Sequence, residues 1–507
     1  MAKYKHYDYS QTMLVPVNLA DQLMQGTLEF AISLLVEENL DLSRFDKRYS
    51  NDQTGRKAYD PKVLLKIVLF AYSRGIIHSR KIEKACKENI TFMALSCGQQ
   101  PDHSTIASFV STMQNQIQSL FRDVLLTCEE MGLLGGSEFS LDGCKLPGSA
   151  SKQSSGTFPG LKDKKETIEK KVHSLLKQQL EADKLEEESL AKKTNRDKYI
   201  EKLKKQANRI GRFLKENEAK PGKQWKEVKS NITDNDSALM KTSHGVIQGY
   251  NAQALVDSKH QVIVQAETFG NGQDHHLLSP VLSKAKETMQ AIGHTVDYFK
   301  GKVITADTGY HSNESIKICE EEGLDAYIPD RNFRKRDEQF SVQQEYMKKQ
   351  RNKFLLEDFK YDESTDQYEC PNGKRLTLNC SRVKVTNRVY RRYCADNNDC
   401  QGCQLWGKCI RNKQKNIKAK TLMVPVGTIG KNYSREMAEK IDTERGRKFY
   451  PRRMAIVEPV FANIRTQKRL DRFTLRGKVK VNIQWLLYCM VHNIEKIVNF
   501  GYAFAGT

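Results

Sequence analysis

The spacing of hydrophobic positions changes several times along the chain and divides it into segments. Residues 1–58 are mixed, with apolar residues at helical spacing over 22–40, and residues 59–131 show the intervals of amphipathic helices throughout. This spacing predicts helices over residues 22–40, 79–89, 90–96 and 104–131, and one that starts at Asp60-Pro61. Asp102 is placed to cap the helix predicted over residues 104–131. We therefore predict an N-terminal helical domain over residues 1–136, which either docks on DNA like a helix-turn-helix module or serves only packing or dimerisation.

Strand-like alternation begins at residue 137. Phe139 and Leu141 alternate with polar residues in a short strand that we expect to end at Asp142. The pattern then predicts a hairpin of strands over residues 245–257 and 261–268, a helix over 275–291, a strand that ends at Asp307, a helix from about Asn313 and a strand over 325–328. This order predicts an α/β core with a mixed sheet over residues 137–332. Because Asp-Gly is also a common turn sequence, a plain turn after Asp142 is an alternative.

A long charged segment interrupts this core. Residues 148–160 are rich in Gly and Ser and predict a loop. Residues 161–219 are dense in Lys and Glu, and their apolar residues recur at helical spacing with a break near Thr194. We predict an inserted antiparallel helical hairpin, which is either a solvated arm or an arm that touches DNA.

Residues 438–507 predict two C-terminal helices. The first is expected to start at Tyr450 and to carry Glu458 in its first turn or at a kink. Arg453, Arg465 and Lys468 would surround this carboxylate with positive charge. The alternative is an ordinary first-turn Glu that interacts favourably with the helix dipole. The closing helix, over residues 479–498, is predicted to be amphipathic.

Half of the 12 Cys lie between residues 333 and 437, in a polar and basic segment that we expect to form a separate insertion. Four thiolates can hold one tetrahedral Zn²⁺ and so stabilise a segment with little hydrophobic core. The candidate ligands are Cys370, Cys400, Cys403 and Cys409, with Cys394 as a substitute. The spacing is irregular, so reduced thiols or a metal site lost in this copy are alternatives.

The charge balance limits the range of partners. The 507-residue chain has 83 Lys and Arg against 62 Asp and Glu, a net charge of +21. Such an excess predicts binding to a polyanion such as DNA, with an affinity that falls steeply as salt rises; a generally basic surface is the alternative. No stretch reaches the roughly 18 apolar residues of a membrane-spanning helix. The first residues show no apolar signal segment, so we expect a cytoplasmic, nucleoid-associated protein.

Five short sequences follow one another in a specific order along the chain. They are PDHSTIASF at residues 101–109, LDGCK at 141–145, HGVIQGYNAQ at 244–253, ADTGY at 306–310, and the pattern formed by Tyr450, Arg453 and Glu458. In this order they resemble bacterial insertion-sequence transposases of the DDE, RNase H-like superfamily. The resemblance is to the insertion-sequence-4-like groups, and within them it is closest to the insertion sequence eleven-eighty-two family.

The resemblance assigns a chemistry to particular residues. The three metal-binding carboxylates of the family correspond to Asp142, Asp307 and Glu458. Its Tyr-Arg-Glu-Lys signature resembles Tyr450, Arg453, Glu458 and Arg465. This implies an RNase H-like mixed-sheet core whose carboxylates hold two Mg²⁺ ions, about 3.5–4 Å apart. The implied reactions are DNA cleavage at element ends and strand transfer.

The same resemblance implies the partners. These are double-stranded DNA, at terminal inverted repeats and at the target, and a second copy in a homodimer, because two ends must be joined. The expected DNA contacts are Lys145, Tyr450, Arg453, Arg465 and Lys468. The other nearby carboxylates, Asp234, Asp236, Asp257 and Asp274, are expected to be supporting or structural.

The chain departs from the family pattern at three points. Cys144 stands where Thr is more frequent, Arg465 stands where Lys is usual, and Arg453 and Glu458 are spaced one residue wider. None of these changes removes a carboxylate. Two other functions stay open on the sequence: a transposase-derived DNA-binding protein that no longer cuts, and a nuclease of the same fold without strand transfer.

Overall fold

The computed structural model describes residues 16–49, 57–185, 190–222, 226–337, 353–385, 388–410, 417–428 and 433–501. The first six residues, on which the expected lack of a signal segment rests, lie outside these ranges. The chain forms two compact units. The first comprises Met1–Tyr310, Glu322–Ala326 and Pro451–Thr507, and the second comprises His311–Glu321 and Tyr327–Tyr450. No helix in the described ranges is long and apolar enough to cross a membrane.

The N-terminal part of the first unit is helical. Its helices are α1 (Leu28–Glu38), α2 (Pro61–Ser73), α3 (Ser79–Glu88), α4 (Ile90–Leu95), α5 (His103–Thr112) and α6 (Ile117–Glu130). Asp60 and Asp102 cap α2 and α5 through their side chains. The single helix predicted over residues 104–131 is wrong, because the chain breaks between α5 and α6. The break buries Met113 and lets the Gln116 amide donate to the carbonyl of Arg44.

A mixed sheet forms the centre of the first unit, and this confirms the predicted α/β class. Its strands are β1 (Glu138–Pro147), β4 (Ala238–Thr242), β5 (Gly245–Asp257), β6 (Ile263–Phe269), β7 (Val303–Ala306) and β8 (Asp325–Tyr327); β2 (Ser155–Gly156) and β3 (Ser230–Asn231) form a separate pair. The order is β4-β5-β1-β7-β8, and β6 also pairs with β5. β1 is antiparallel to β5 and parallel to β7.

β1 is longer than the sequence predicts. The expected end at Asp142 is wrong, because the strand stays paired with β5 as far as Pro147. Gly143 lies opposite Gln253 in this ladder, and a Cβ at Gly143 would overlap the amide of that Gln. The glycine therefore makes room for a neighbouring side chain and does not end the strand.

The C-terminal helix ties the first unit together. Helix α16 (Lys478–Phe500) is buried at 14 of its 23 residues, so it is more enclosed than the predicted amphipathic helix. Its Trp485 indole donates to the carbonyl of Gln253 at 3.0 Å. Asn493 exchanges two hydrogen bonds of 2.9 Å with the backbone of Ile263. These bonds fix α16 against β5 and β6. Helix α9 (Leu278–Ala291) also packs on β6.

Two long helices leave the sheet between β1 and β5. They are α7 (Phe158–Leu185) and α8 (Leu190–Glu216). Lys165 lies against Gly211, and Gln179 donates to Asp197, so the two helices run antiparallel. Their apolar residues form a hydrophobic cluster of their own: Leu161, Ile168, Val172, Ile200, Leu203, Ala207, Ile210 and Phe213.

Helix α15 (Glu444–Ala462) precedes a π-helical segment, Asn463–Gln467. It begins six residues before the predicted start at Tyr450, so both Pro451 and Pro459 lie inside it. A proline in a helix removes one backbone hydrogen bond and favours irregular turns.

The second unit contains a five-stranded antiparallel sheet, β9 (Lys360–Asp362), β10 (Gln367–Glu369), β11 (Arg375–Val385), β12 (Arg388–Ala395) and β13 (Thr421–Thr428). Among its described residues, the buried core of this sheet is small: Phe359, Leu376, Tyr393 and Leu422. Its helices are α10 (Asn313–Glu321), α11 (Phe333–Arg336), α12 (Asn397–Cys400), α13 (Trp406–Cys409), α14 (Tyr433–Asp442) and the start of α15.

Candidate active site

The register of two parallel strands places the first two predicted carboxylates side by side. β1 and β7 are paired from Glu138 and Val303 to Leu141 and Ala306. The next residue on β1 is Asp142, and the residue that follows β7 is Asp307. Both carboxylates therefore lie at the carboxyl end of the same parallel pair, which is the usual place for a site in an α/β sheet.

Backbone N–H groups orient both carboxylates. The Gly143 N–H donates to Asp142 Oδ1 at 2.8 Å, and the Gly309 N–H donates to Asp307 Oδ1 at 2.8 Å. A carboxylate held by a backbone donor keeps one oxygen fixed and leaves the other for a further partner. For Asp142 that partner is Arg453 of α15, whose Nη1 lies 2.7 Å from Oδ2.

A third acid, Asp274, joins this group, although the sequence predicts only a supporting or structural role for it. It precedes α9 in a short 3-10 turn, where hydrophobic spacing carries no signal of proximity. Its Oδ1 accepts a 2.6 Å bond from Asn251 and a 3.3 Å bond from Gln253. Its Oδ2 lies 3.8 Å from the ammonium of Lys145. The HGVIQGYNAQ motif thus supplies two amides that hold Asp274.

The third predicted carboxylate, Glu458, lies on α15 and faces the same region as Asp142. Both line a cavity of about 690 Å³, together with Cys144, Arg465 and Arg469. Glu458 is exposed at the wall of this cavity. The structure therefore places Asp142 beside Asp307 through the sheet, and places Asp142 and Glu458 on the wall of the same cavity.

The electrostatics of the site favour a bound cation. Burial raises the pKa of Asp142 to about 6; the charge of Arg453 opposes this shift and that of Asp307 adds to it. Burial also raises the pKa of Asp307, and Asp274 contributes as a like charge. Carboxylates that are desolvated and close to each other are stabilised in their charged form by a cation.

The donor chemistry fits Mg²⁺, because every candidate ligand is a hard carboxylate oxygen. The candidate ligands are, however, not grouped closely enough to form a metal site in this structure. Within the described ranges, no three His, Cys, Asp or Glu side chains are grouped so that they hold a metal ion. Arg453 already occupies one oxygen of Asp142.

The five predicted DNA contacts have different environments. Arg465 lines the 690 Å³ cavity, Lys145 lies beside Asp274, and Arg453 is bound to Asp142. Lys468 is fully buried; its ammonium pairs with Glu495 at 2.5 Å and also donates to Asn463. It is therefore not accessible to a DNA phosphate in this structure. Tyr450 belongs to the second unit, where its ring packs edge-on against Phe333 at 5.1 Å.

The predicted zinc ligands lie near one another in the second unit. Burial raises the pKa of Cys400 and of Cys409, and the neighbouring candidate sulfurs contribute to both shifts. Backbone N–H groups point at two of the sulfurs: those of Asn372 and Lys374 at Cys370, and that of Lys420 at Cys400, each at 3.4 Å. The substitute ligand, Cys394, contacts Thr421 on β13 at 3.7 Å.

Two parts of the chain match models of protein families. Residues 17–112 match a transposase domain (DUF772), and residues 369–498 match a transposase DDE domain. The second match includes Glu458, whereas Asp142 and Asp307 precede it in the chain. No curated protein matches the chain.

Proposed function

We propose that the chain is a DDE-type insertion-sequence transposase, because two of its segments match transposase domains, and that Asp142, Asp307 and Glu458 form its metal-dependent DNA cleavage and strand-transfer site. The observation that carries the proposal is the shared register of Asp142 and Asp307, which directly follow the paired segments of β1 and β7. We further propose an RNase H-like core and membership of the insertion-sequence-4-like groups, closest to the insertion sequence eleven-eighty-two family.

The two proposed reactions are phosphoryl transfers. In the first, the oxygen of water bonds to phosphorus at the element end, the P–O3′ bond breaks, and the leaving 3′-oxygen takes up a proton. In the second, that 3′-hydroxyl loses its proton and attacks a target phosphorus, the target P–O3′ bond breaks, and the leaving 3′-oxygen takes up a proton. Mg²⁺, when bound by the three carboxylates, supplies charge neutralisation and lowers the pKa of the attacking group.

The side chains of the site would orient and neutralise the substrate. The N–H groups of Gly143 and Gly309 hold the carboxylates in position. Arg465 and Lys145 lie where they can bind phosphate oxygens, since both are at the edge of the carboxylate group. Arg453 stabilises Asp142 as a carboxylate and competes with a cation for its Oδ2.

The test is cleavage of a plasmid that carries the element with its flanking ends. Wild-type protein is expected to nick at the ends with Mg²⁺ and not with a chelator. Asp142→Asn and Asp307→Asn are expected to lose at least about a hundredfold in rate while DNA affinity changes little, because only the metal site is altered. The matched control is Asp297→Asn, an exposed acid of the same unit. Nicking by Asp142→Asn at the wild-type rate would remove this residue from the site.

A second candidate function is a transposase-derived DNA-binding protein that no longer cuts. Two observations favour it: the Arg453–Asp142 pair, and the lack of a formed metal cluster in the part of the chain that the structure describes. Wild-type protein would then bind DNA with steep salt dependence and show no cleavage at any Mg²⁺ concentration. Cleavage without joining of a pre-cut end would instead identify a nuclease of the same fold.

We propose that the partners are duplex DNA, at terminal inverted repeats and at the target, and a second copy of the chain in the cytoplasm. The basic charge of the chain supports the first partner. The need to bring two element ends together supports the second. Sedimentation of the protein with and without end DNA measures both.

We also propose a structural Zn²⁺ held by Cys370, Cys400, Cys403 and Cys409. The small buried core of the second-unit sheet supports this, because only four residues of its apolar cluster are buried in the part of the chain that the structure describes. So do the N–H groups directed at the Cys370 and Cys400 sulfurs, which stabilise thiolates. The described residues do not form a closed cage, so binding would draw the sulfurs together.

Metal analysis of protein purified with a reducing agent tests the zinc site. Wild type is expected to contain about one Zn²⁺ per chain, and Cys403→Ser to lose most of it. The matched control is Cys380→Ser, because Cys380 lies on β11 and its thiol donates to the Arg382 carbonyl at 3.6 Å. A chelator should lower the unfolding temperature of wild type and of Cys380→Ser. Wild-type protein without zinc would contradict the assignment.

A further inference from the structure

A second cavity in the first unit, of about 810 Å³, is distinct from the one at Asp142. Five side chains that carry or can carry positive charge line it: His78, Lys152, Arg209, Arg472 and Arg476. No Asp or Glu is among the described residues of its wall. All five of these side chains belong to exposed residues.

These residues come from segments that are far apart in the sequence. His78 stands at the start of α3, and Lys152 lies in the loop after β1. Arg209 is on α8, whereas Arg472 and Arg476 precede α16. A random basic surface has interspersed acids, so the convergence of four positive charges and a histidine on one concavity indicates a site for an anion.

The arginines have neutral partners only. Arg472 Nη2 donates to the Gly148 carbonyl at 3.0 Å, Arg476 Nε donates to the Ser149 carbonyl at 2.8 Å, and Arg209 Nη2 donates to Thr233 Oγ1 at 3.0 Å. None of the three forms an ion pair with a residue that the structure describes. Each guanidinium has five N–H donors, so several remain available.

Of the acids next to this wall in the sequence, Asp471 lines the other cavity, whereas Asp234 and Asp236 are already engaged. Asp234 accepts from the Tyr250 hydroxyl and from the Gly477 N–H, and Asp236 accepts from the Lys478 N–H. Neither lines the cavity. In addition, His78 directly precedes α3 and does not cap it through its side chain, so the positive end of this ten-residue helix lies at the wall.

We propose that this cavity binds the sugar-phosphate backbone of a DNA strand, and this inference rests on the proposed function. Phosphate matches the guanidinium and ammonium donors. The phenyl ring in the wall, Phe473, is fully buried and offers no face to a base. The contact is therefore independent of base sequence.

The sheet fixes an approximate distance between the two cavities. β1 runs without a break from Asp142 to Pro147, and Pro147 is part of the wall of the second cavity. Five strand residues span about 17 Å. At about 3.4 Å per nucleotide along one strand, this span corresponds to about five nucleotides, so we expect the bound phosphates at about that distance from the cleaved phosphodiester.

The primary test is the salt dependence of binding to end DNA. The variant Lys152→Gln/Arg209→Gln is expected to lower the slope of log affinity against log salt by about 1.8, because each phosphate contact contributes about 0.9. Between 50 and 200 mM salt, wild type then loses about tenfold more affinity than the variant. Arg472 and Arg476 are left unchanged, because they also hold the loop after β1.

The control is Lys300→Gln, an exposed lysine of the same unit outside the cavity, which should leave the slope unchanged. Equal slopes for wild type and the double variant overturn the proposal, provided that both unfold at the same temperature. A Lys152→Arg/Arg209→Lys variant, which keeps the charges, should restore the slope.

Neutral methylphosphonate linkages locate the contact. Substitution about five nucleotides from the cleavage position, on either side, should weaken wild type more than the double variant. If inorganic phosphate alone raises the unfolding temperature of wild type while the DNA slopes are equal, the cavity is a free-anion site and the proposal is overturned.

Cleavage separates this inference from the proposed function. If wild type nicks DNA with Mg²⁺ but wild type and the double variant have equal salt slopes, only the cavity assignment is refuted. A reduced slope without any nicking would support the cavity and refute the cleavage site.

Discussion

The position of Asp307 depends on a residue that has no side chain. A Cβ at Gly309 would lie 2.9 Å from Asp307 Oδ1 and 3.1 Å from Asp274 Oδ2. Carbon atoms do not approach oxygen this closely without displacement of one of them, so a methyl group would move both carboxylates. The backbone of Gly309 is not in the left-handed region, so alanine would not strain the backbone there. Its methyl group would disturb only the two carboxylates.

Gly309→Ala is therefore expected to lower the rate of end cleavage more than tenfold, because it displaces the proposed metal ligands. DNA affinity and the unfolding temperature should stay close to wild type. The matched control is Gly407→Ala on α13, where a Cβ meets no atom within 4 Å. A plasmid-nicking assay decides; an active Gly309→Ala would mean that the position of Asp307 does not limit the reaction.

Individual residues are predictable where the local sequence determines the environment. Asp142 and Asp307 each follow a strand pattern and precede a glycine by one or two residues, which makes both recognisable from the sequence alone. Lys468 looks like a surface cation in the sequence, but it is buried against Glu495 of a helix that lies further along the chain. The role of Asp274 is hidden for the same reason, since its partners Asn251 and Gln253 come from another element.

At the level of elements, the sequence predicts which elements occur better than where they end. Asp-Gly favours turns and so predicts an end of β1 at Asp142, yet the glycine accommodates the side chain of Gln253 on β5. Proline is common in a first turn and so predicts a start of α15 near Pro451, yet the helix begins at Glu444. Both errors arise because local sequence does not show which strand or helix lies beside an element.

The burial of α16 has a consequence for acid stability. Burial lowers the pKa of His492 to about 3, and the charges of Lys496 and Lys468 act in the same direction. A free histidine has a pKa of about 6.5, so the unfolded chain takes up a proton between these values while the folded chain does not. This contribution to stability is present above about pH 6.5 and is lost progressively as the pH falls towards 3.

His492→Gln should therefore reduce the acid sensitivity of folding. Between pH 7 and 5.5, the free energy of unfolding of wild type should fall by about 1 kcal/mol more than that of the variant. Denaturant unfolding at several pH values measures the difference. His244→Gln, at an exposed histidine, is the control. Parallel pH profiles for wild type and His492→Gln would show that this histidine is not buried as a neutral group.

For the molecule as a whole, the distribution of charge suggests a test of the two interpretations of the α7–α8 hairpin. Its outer part, residues 173–203, has seven Lys and Arg and seven Asp and Glu, so it is neutral. Its base, residues 161–172 and 204–219, has ten basic and five acidic residues. A neutral arm gains nothing from phosphate neutralisation, so DNA contact is expected at the base, where Arg209 lines the 810 Å³ cavity.

Replacement of residues 173–203 by a short Gly-Ser linker should therefore leave DNA affinity and its salt slope unchanged. The new ends can be joined, because Val172 and Lys204 line one small cavity between the helices. The shortened hairpin keeps the inner part of its apolar cluster, including Leu161, Ile210 and Phe213. Far-ultraviolet circular dichroism should show the loss of helix, while the first unit stays folded.

A matched variant keeps the full hairpin but carries Arg209→Gln. Its slope of log affinity against log salt should be lower than that of wild type by about 0.9. If the shortened chain instead shows a lower slope of log affinity against log salt, DNA contact extends along the outer arm. The neutral charge of residues 173–203 would then not exclude DNA binding there.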